Sequence, residues 1–256
     1  QAIVEEDLIA NEPVTVILST GGFVRSAKGH EIDARSLSYK TGDGFLAAAR
    51  GRSIQQAIFL DSTGRTYALP AHSLPSARGQ GEPLSGRLNP PDGAKFAGVA
   101  IGEPEDLWLL VTDAGYGFTV RLKDLITDRR AGKAIMNVPD GAKPLPPVPV
   151  PSPKSLLAFV NDEGRLLAFP ADAAPELAKG KGNKLFNIPA KKGLLDEKLV
   201  AAACVPEDGK LVVWCGERSM TLSWKDLAEY RGAPAQRGSL LSRNYRKVDR
   251  IEALPA

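Results

Sequence analysis

The sequence predicts an all-β protein of five propeller-like blades, about four strands to a blade. Three observations carry this. A hairpin pattern (apolar run, polar turn with glycine, second run) recurs at Val14–Arg25, Ala57–Leu69, Leu107–Leu122, Leu156–Phe169 and Lys210–Leu222. The turn glycines, Gly21 or Gly22, Gly64, Gly115, Gly164 and Gly216, stand at steps of about 43, 51, 49 and 52 residues, a period typical of blade arrays. The segment after each hairpin repeats as well: an elbow, a basic glycine turn and a further extended run.

The unit is clearest in Gln55–Leu88. Ala57-Ile58-Phe59-Leu60 is long enough for a strand, and Asp61-Ser62-Thr63-Gly64 supplies a turn whose glycine can take positive φ. Thr66-Tyr67-Ala68-Leu69 returns as a second strand of residues suited to a pleated surface. A Pro-bounded elbow, Pro70 to Pro75, leads to the basic turn Arg78-Gly79-Gln80-Gly81, and Leu84 and Leu88 mark the next extended segment.

In chain order, Gln1 to Glu12 is an acidic lead-in (Glu5, Glu6, Asp7, Glu12), and the start at Gln1 without methionine suggests a piece of something larger. The first hairpin lacks an elbow and runs directly into Ser26-Ala27-Lys28-Gly29-His30. The later elbows end at Leu74, Leu125, Ala173 and Leu227, and their basic turns are Arg78–Gly81, Arg129–Lys133, Lys179–Gly182 and Gln236–Gly238. Lead-out strands follow at Phe45–Ala49, Lys95–Val99, Lys143–Val148, Lys198–Ala202 and Lys247–Ile251. The last has no hairpin after it, so it either closes onto the first hairpin or remains a free edge of an open or broken ring. Pro139–Pro153 is the strongest irregularity, read either as a polyproline linker or as a poorly paired blade-to-blade strand. The repeat register runs through it unbroken, which favours the strand. Because the repeats span the chain, residues 1–256 are expected to form a single domain.

Bulk properties add limits. The 256 residues carry a net charge of +3 and 43% hydrophobic residues, enough for a packed core. Cys204 and Cys215, without a CxxC pair, and two histidines, His30 and His72, argue against a zinc site; the thiols read as buried apolar groups. No signal peptide or membrane-spanning run is recognised. Asp61, Asp113, Asp162 and Asp208 sit in turns, and Asp124, Asp172 and Asp226 in elbows, where local hydrogen bonds explain them. With no nucleophile elbow or P-loop, no catalytic residue is expected.

The chemistry lies in the basic turns. Duplex DNA is a polyanion, and a protein that bends it needs Lys and Arg spaced along a curved face. One Arg-Gly turn is ordinary turn chemistry, whereas basic turns at matched places in successive repeats indicate phosphate contacts. The candidates are Arg25, Lys28, Arg65, Arg78, Arg129, Arg130, Lys133, Arg165, Lys179, Lys181, Lys184, Arg218 and Arg237. Aromatics such as Trp108, Phe118, Phe159 and Trp214 lie in strands and read as core, which favours duplex over single strands. The alternative is a propeller used as a protein-docking platform.

Val24–His30, Asp61–Arg65, Leu74–Pro83, Asp113–Phe118, Arg130–Ala134 and Lys179–Asn183 together resemble the C-terminal domain of the A subunit of bacterial type IIA topoisomerases. The resemblance is to the topoisomerase IV branch. The gyrase heptapeptide Gln-Arg-Arg-Gly-Gly-Lys-Gly is absent, with Ser26–Gly29 and Gln236–Gly238 its nearest counterparts, which argues against wrapping of the gyrase kind. The resemblance implies a five-bladed β-pinwheel, whose neighbouring blades exchange strands. It implies a non-catalytic DNA-binding module that helps select segments for decatenation, relaxation and chromosome segregation, with the cleavage tyrosine, ATP and Mg2+ elsewhere in the enzyme. Implied partners are duplex DNA, the N-terminal cleavage domain of the same polypeptide, the topoisomerase IV B subunit (ParE) and bacterial condensin, with no small-molecule substrate. The implied location is the cytoplasm, at the nucleoid.

Overall fold

The structure, a computed structural model, describes residues 9–191, 194–195 and 197–256. Residues 1–8 of the acidic lead-in, with Glu5, Glu6 and Asp7, lie outside the described residues. In chain order the strands are β1 Pro13–Ser19, β2 Phe23–Lys28, β3 Phe45–Arg52, β4 Gln56–Asp61, β5 Arg65–Pro70, β6 Glu82–Pro83 and β7 Phe96–Ile101. Next come β8 Leu107–Val111, β9 Tyr116–Arg121, β10 Lys133–Ala134, β11 Val148–Val150, β12 Leu156–Asn161, β13 Arg165–Pro170 and β14 Asn183–Lys184. The rest are β15 Ala190–Lys191, β16 Leu194–Leu195, β17 Leu199–Val205, β18 Lys210–Cys215, β19 Arg218–Ser223, β20 Ser239–Leu240 and β21 Arg250–Leu254.

Five antiparallel sheets are the blades: β3-β1-β2-β6, β10-β5-β4-β7, β11-β8-β9-β14, β17-β12-β13-β20 and the three-stranded β19-β18-β21; β15 and β16 form a small ribbon. The sheet orders reveal strand exchange. The two-residue strand after each basic turn pairs with the hairpin of the preceding repeat, not its own: β6 with β2, β10 with β5, β14 with β9 and β20 with β13. A repeat in sequence is therefore not a blade in space. This is the five-bladed β-pinwheel.

Two sequence expectations are corrected here, and of the two readings of the Pro-rich segment the strand is the one found. The last lead-out strand is Arg250–Leu254, shifted from Lys247–Ile251, and among the described residues it pairs with β18 and forms an edge of its own three-stranded sheet. Among the described residues β19 lacks the crossing strand that its counterparts β2, β5, β9 and β13 each take. After the first basic turn, extension lasts only through Glu82–Pro83, because Leu84–Gly86 turns into a 3-10 helix that buries Leu84. The Pro-rich segment yields β11, an edge strand of three residues, where proline is tolerated; Pro149 stands opposite Trp108.

The elbows are 3-10 turns at Ala71–Ser73, Leu122–Asp124, Ala171–Ala173 and Asp226–Tyr230, and each tucks an apolar residue inward. The first repeat, without an elbow, carries instead a 3-10 turn at Ala34–Ser36, begun by the Asp33 carboxylate accepting from the Arg35 N–H. Hairpin ends are fixed by buried polar groups. Asp61 accepts from the Thr63 and Arg65 N–H groups and from the Tyr67 hydroxyl at 2.7 Å. At the matched position Asn161 accepts from the Glu163 and Arg165 N–H groups. Burial, and then the neighbouring Asp61 carboxylate, raise the Tyr67 hydroxyl far above its ordinary value.

The chain divides into two compact units, Gln1–Asp106 with Arg121–Met136, and Leu107–Val120 with Asn137–Ala256. The first holds the first two blades, including β10. Around the first hairpin, Ile17, Ala27 and Ala34 are buried with Ile32, Leu37, Phe45 and Ala77 against them. The second unit holds the other three blades. All six residues of β12 are buried, and alternate ones serve two clusters. Leu157 and Phe159 join Leu109, Val111, Val148 and Val150, whereas Leu156, Ala158 and Val160 join Leu211, Val213 and Leu222. Successive side chains of a strand point to opposite faces, so burial on both faces gives a continuous apolar run. Burying a side chain of Phe159 size stabilises by about 2–3 kcal/mol. Cys204 is buried and Cys215 half-buried; both are free thiols, and burial pushes Cys204 up to about 12.

Candidate nucleic-acid interface

The basic turns are shaped by the crossing strands. Each has a glycine of positive φ at or next to its end, namely Gly81, Gly132, Gly182 and Gly238. These four lie against the carbonyls of Val24, Thr66, Gly117 and Leu166 on the receiving hairpins. A Cβ on Gly132 would stand 2.7 Å from the Thr66 oxygen, so both conformation and space demand glycine. Three of the turns are also tied to the preceding repeat by an asparagine: Asn89 N–H donates to Arg130 O at 2.8 Å, Asn137 N–H to Gly180 O at 3.0 Å and Asn187 N–H to Gln236 O at 3.0 Å. Sequence reasoning gives these asparagines no role; their signals are a shared place just before a proline, in Asn-Pro, Asn-Val-Pro and Asn-Ile-Pro, and the near-identical runs Gly132–Pro139 and Gly182–Pro189 that hold Asn137 and Asn187.

The sequence-predicted basic residues fall into two groups. Arg78, Arg129, Arg130 and Lys179 are exposed, and their side chains make no hydrogen bond or ion pair among the described residues. Exposed Lys133 donates to Asp124 O at 2.7 Å, while Lys181 places its ammonium 4.0 Å from the centre of the Tyr116 ring, with half-buried Lys184 at 5.8 Å. Lys28 and Arg218 are exposed but sit at hairpin positions, outside the crossing turns.

The second group is engaged inside the protein. Arg25 is 3% exposed; it donates to Gly79 O at 2.7 Å and Ser38 O at 2.8 Å and stacks 4.7 Å from the Tyr39 ring. Arg65 donates through Nε to Ala131 O at 2.9 Å and through Nη2 to Gly132 O at 3.0 Å. Arg165 donates to Gly238 O at 3.3 Å. Arg237 is neutralised: its Nη2 lies 2.6 Å and 2.7 Å from the Glu197 carboxylate oxygens and 3.2 Å from Glu163. Nothing in the sequence flags that pair, since Glu197 lies in a lead-out segment 40 residues away.

Of the aromatics, Trp108, Phe118 and Phe159 are core residues, but Trp214 is half-buried beneath the Arg250 guanidinium, 4.4 Å from the ring centre. Among the described residues no group of three or more His, Cys, Asp or Glu is placed to hold a metal ion, and no helix is long and apolar enough to cross a membrane. What the exposed turns can do chemically is present cations on a backbone held from two sides, an arrangement suited to polyanions.

No protein-family model matches the chain. It is 50% identical over 253 residues to the DNA topoisomerase 4 A subunit of Pseudomonas aeruginosa and 43% identical over 253 residues to that of Escherichia coli K12. Each alignment covers 98% of this chain and 34% of the relative, so the chain spans about a third of the length of these curated relatives. Among solved structures, the E. coli ParC C-terminal domain aligns with TM-score 0.75 and 43% identity over 94% of this chain and 98% of that one. The gyrase A C-terminal domain aligns with TM-score 0.68 at 14% identity over 93% of this chain and 81% of that one, a likeness of fold alone. With its exchanged strands and this close match end to end, the chain belongs to the family of topoisomerase IV ParC C-terminal domains.

Proposed function

We propose that the chain binds and bends duplex DNA, holding it on its exposed basic turns and so helping a type IIA topoisomerase choose segments for strand passage. The observation that supports this is the recurrence of Arg78, Arg129, Arg130, Lys179 and Lys181, exposed, at equivalent crossing turns in successive blades. Such contacts read phosphates rather than bases, so binding is indifferent to sequence and steep in salt. The parent enzyme supplies the cleavage chemistry, ATP and Mg2+. Its protein partners are condensin, the ParE subunit and the cleavage domain of the same polypeptide, at the nucleoid in the cytoplasm.

Ligation of nicked circular DNA in the presence of the chain tests the reading: a shift in linking number reports binding and the hand of the bend together. Binding is expected to survive a chelator, and plasmid relaxation is expected to be absent. Relaxation by the chain alone would overturn its non-catalytic assignment. Salt-insensitive peptide binding without duplex affinity would support the docking platform instead.

A further inference from the structure

Several of the arginines nearest the basic turns face the protein, not solvent. We propose that Arg25, Arg65 and Arg165 are positioning residues, each a latch from one blade's hairpin onto the backbone of the basic turn that crosses to it. The proposal rests on the phosphate-binding reading of the exposed turns and assigns these three a different part in it.

The contacts recur joint by joint. In the first blade Arg25 spans Gly79 O and Ser38 O from a buried site. In the second, Arg65 closes a fork on two successive carbonyls, Ala131 O at 2.9 Å and Gly132 O at 3.0 Å. In the fourth, Arg165 reaches Gly238 O. Arg65 and Arg165 each follow the hairpin glycine directly, and the third blade puts Tyr116 at that place. There the polarity is reversed: the hairpin offers an aromatic face, and Lys181 of the crossing turn lies over it at 4.0 Å. In the fifth blade no turn crosses onto β19 among the described residues, and the hairpin's Arg218 is exposed. A latch thus accompanies every crossing turn.

The planar guanidinium suits this task. It presents several N–H donors in a fixed fork and keeps its charge, whereas an ammonium is a point donor on a flexible stem. Held by two carbonyls, the turn at residues 129–132 presents Arg129 and Arg130 from a rigid base, which lowers the ordering cost of binding.

The test uses charge-conserving replacement, because lysine can replace arginine at a phosphate but not at a bidentate latch. Arg65→Lys is expected to bind a short mixed-sequence duplex about tenfold more weakly than wild type, as Arg65→Gln does. In an Arg129→Gln/Arg130→Gln background, Arg65→Gln is expected to cost nothing further. Without DNA, Arg65→Lys is expected to speed amide exchange at Gly132 and Lys133 while leaving Phe59 and Leu60 protected. Wild-type affinity in Arg65→Lys, or an undiminished loss in the double-variant background, would make Arg65 a phosphate ligand and overturn the latch. Unchanged exchange at Gly132 and Lys133 would also overturn it. If Arg65→Lys loses protection at Phe59 as well, Arg165→Lys read at Gly238 and Ser239 decides by the same criteria. Absence of duplex binding by the wild-type chain would refute the DNA reading, and the exchange arm alone would then judge the latch.

Discussion

Asp43 shows how one side chain secures a turn that the sequence presents only as Thr-Gly-Asp-Gly. Its carboxylate accepts from the Thr20 hydroxyl at 2.6 Å and from the Gly21 and Gly44 N–H groups at 2.8 Å and 2.7 Å. Burial pushes its pKa up, but hydrogen bonds from Ser19, Thr20, Gly21 and Gly44 outweigh it and bring the group from 3.8 down to about 2. A carboxylate held low in the folded state contributes stability above its unfolded value and loses it as pH falls through the folded one. The thermal midpoint of wild type should therefore fall toward that of Asp43→Asn between pH 3.8 and about 2; parallel curves would show that Asp43 does not hold the turn. Glycine supplies a second residue-scale contrast. Gly42 and Gly132 both have positive φ, but a Cβ on Gly42 meets nothing within 4 Å, whereas on Gly132 it meets Thr66 O and the Tyr67 ring. Denaturant unfolding should show Gly42→Ala costing about 1 kcal/mol and Gly132→Ala about 2–4 kcal/mol, and equal costs would refute the close approach.

Among elements, the lead-out strands are unequal for a compositional reason. β3 has eight residues, while β11 has three, because Pro144, Pro146, Pro147 and Pro149 remove donors around it. Beside the short β11–β8 pairing there are a bond from Leu145 N–H to Val111 O at 2.9 Å, an isolated bridge between Thr112 and Pro144, and side-chain burial of Leu145 and Val148. Amides across residues 143–153 should exchange faster than those of Leu156–Val160, which lie in a strand paired on both sides. Equal protection in native-state exchange would mean that side-chain packing alone closes the seam.

For the molecule as a whole, charge matters by where it is left free. Arg130 is exposed and unpaired among the described residues, whereas Arg237 is held by Glu197 and Glu163. Charge reversal at Arg130 should lower duplex affinity and flatten its salt dependence by about 0.9 in log–log slope per lost phosphate contact. Reversal at Arg237 should cost less affinity, since its charge is already met, but should destabilise the fourth blade by leaving Glu197, with a side chain 12% exposed, without its cationic partner. Equal slope changes for the two variants, read by titrating duplex binding against salt, would refute this ranking.

Repeat length, turn glycines, continuous apolar runs and basic turns were all legible in the sequence, because each is set by local chemistry: the φ that glycine permits, the burial a run demands, the donor that proline lacks. Five hairpins followed from these, and so did the places where cations gather. Which strand each basic turn joins was decided only in three dimensions, because a two-residue strand such as Lys133–Ala134 carries no register signal of its own and takes its partner from the hairpin it meets. The same holds for the use of each arginine. Arg78 and Arg25 look alike in the chain, but one ends in solvent and the other on the carbonyls of Gly79 and Ser38, 54 and 13 residues away. A guanidinium's role is fixed by the acceptors around it, and those acceptors are assembled by strand exchange between repeats.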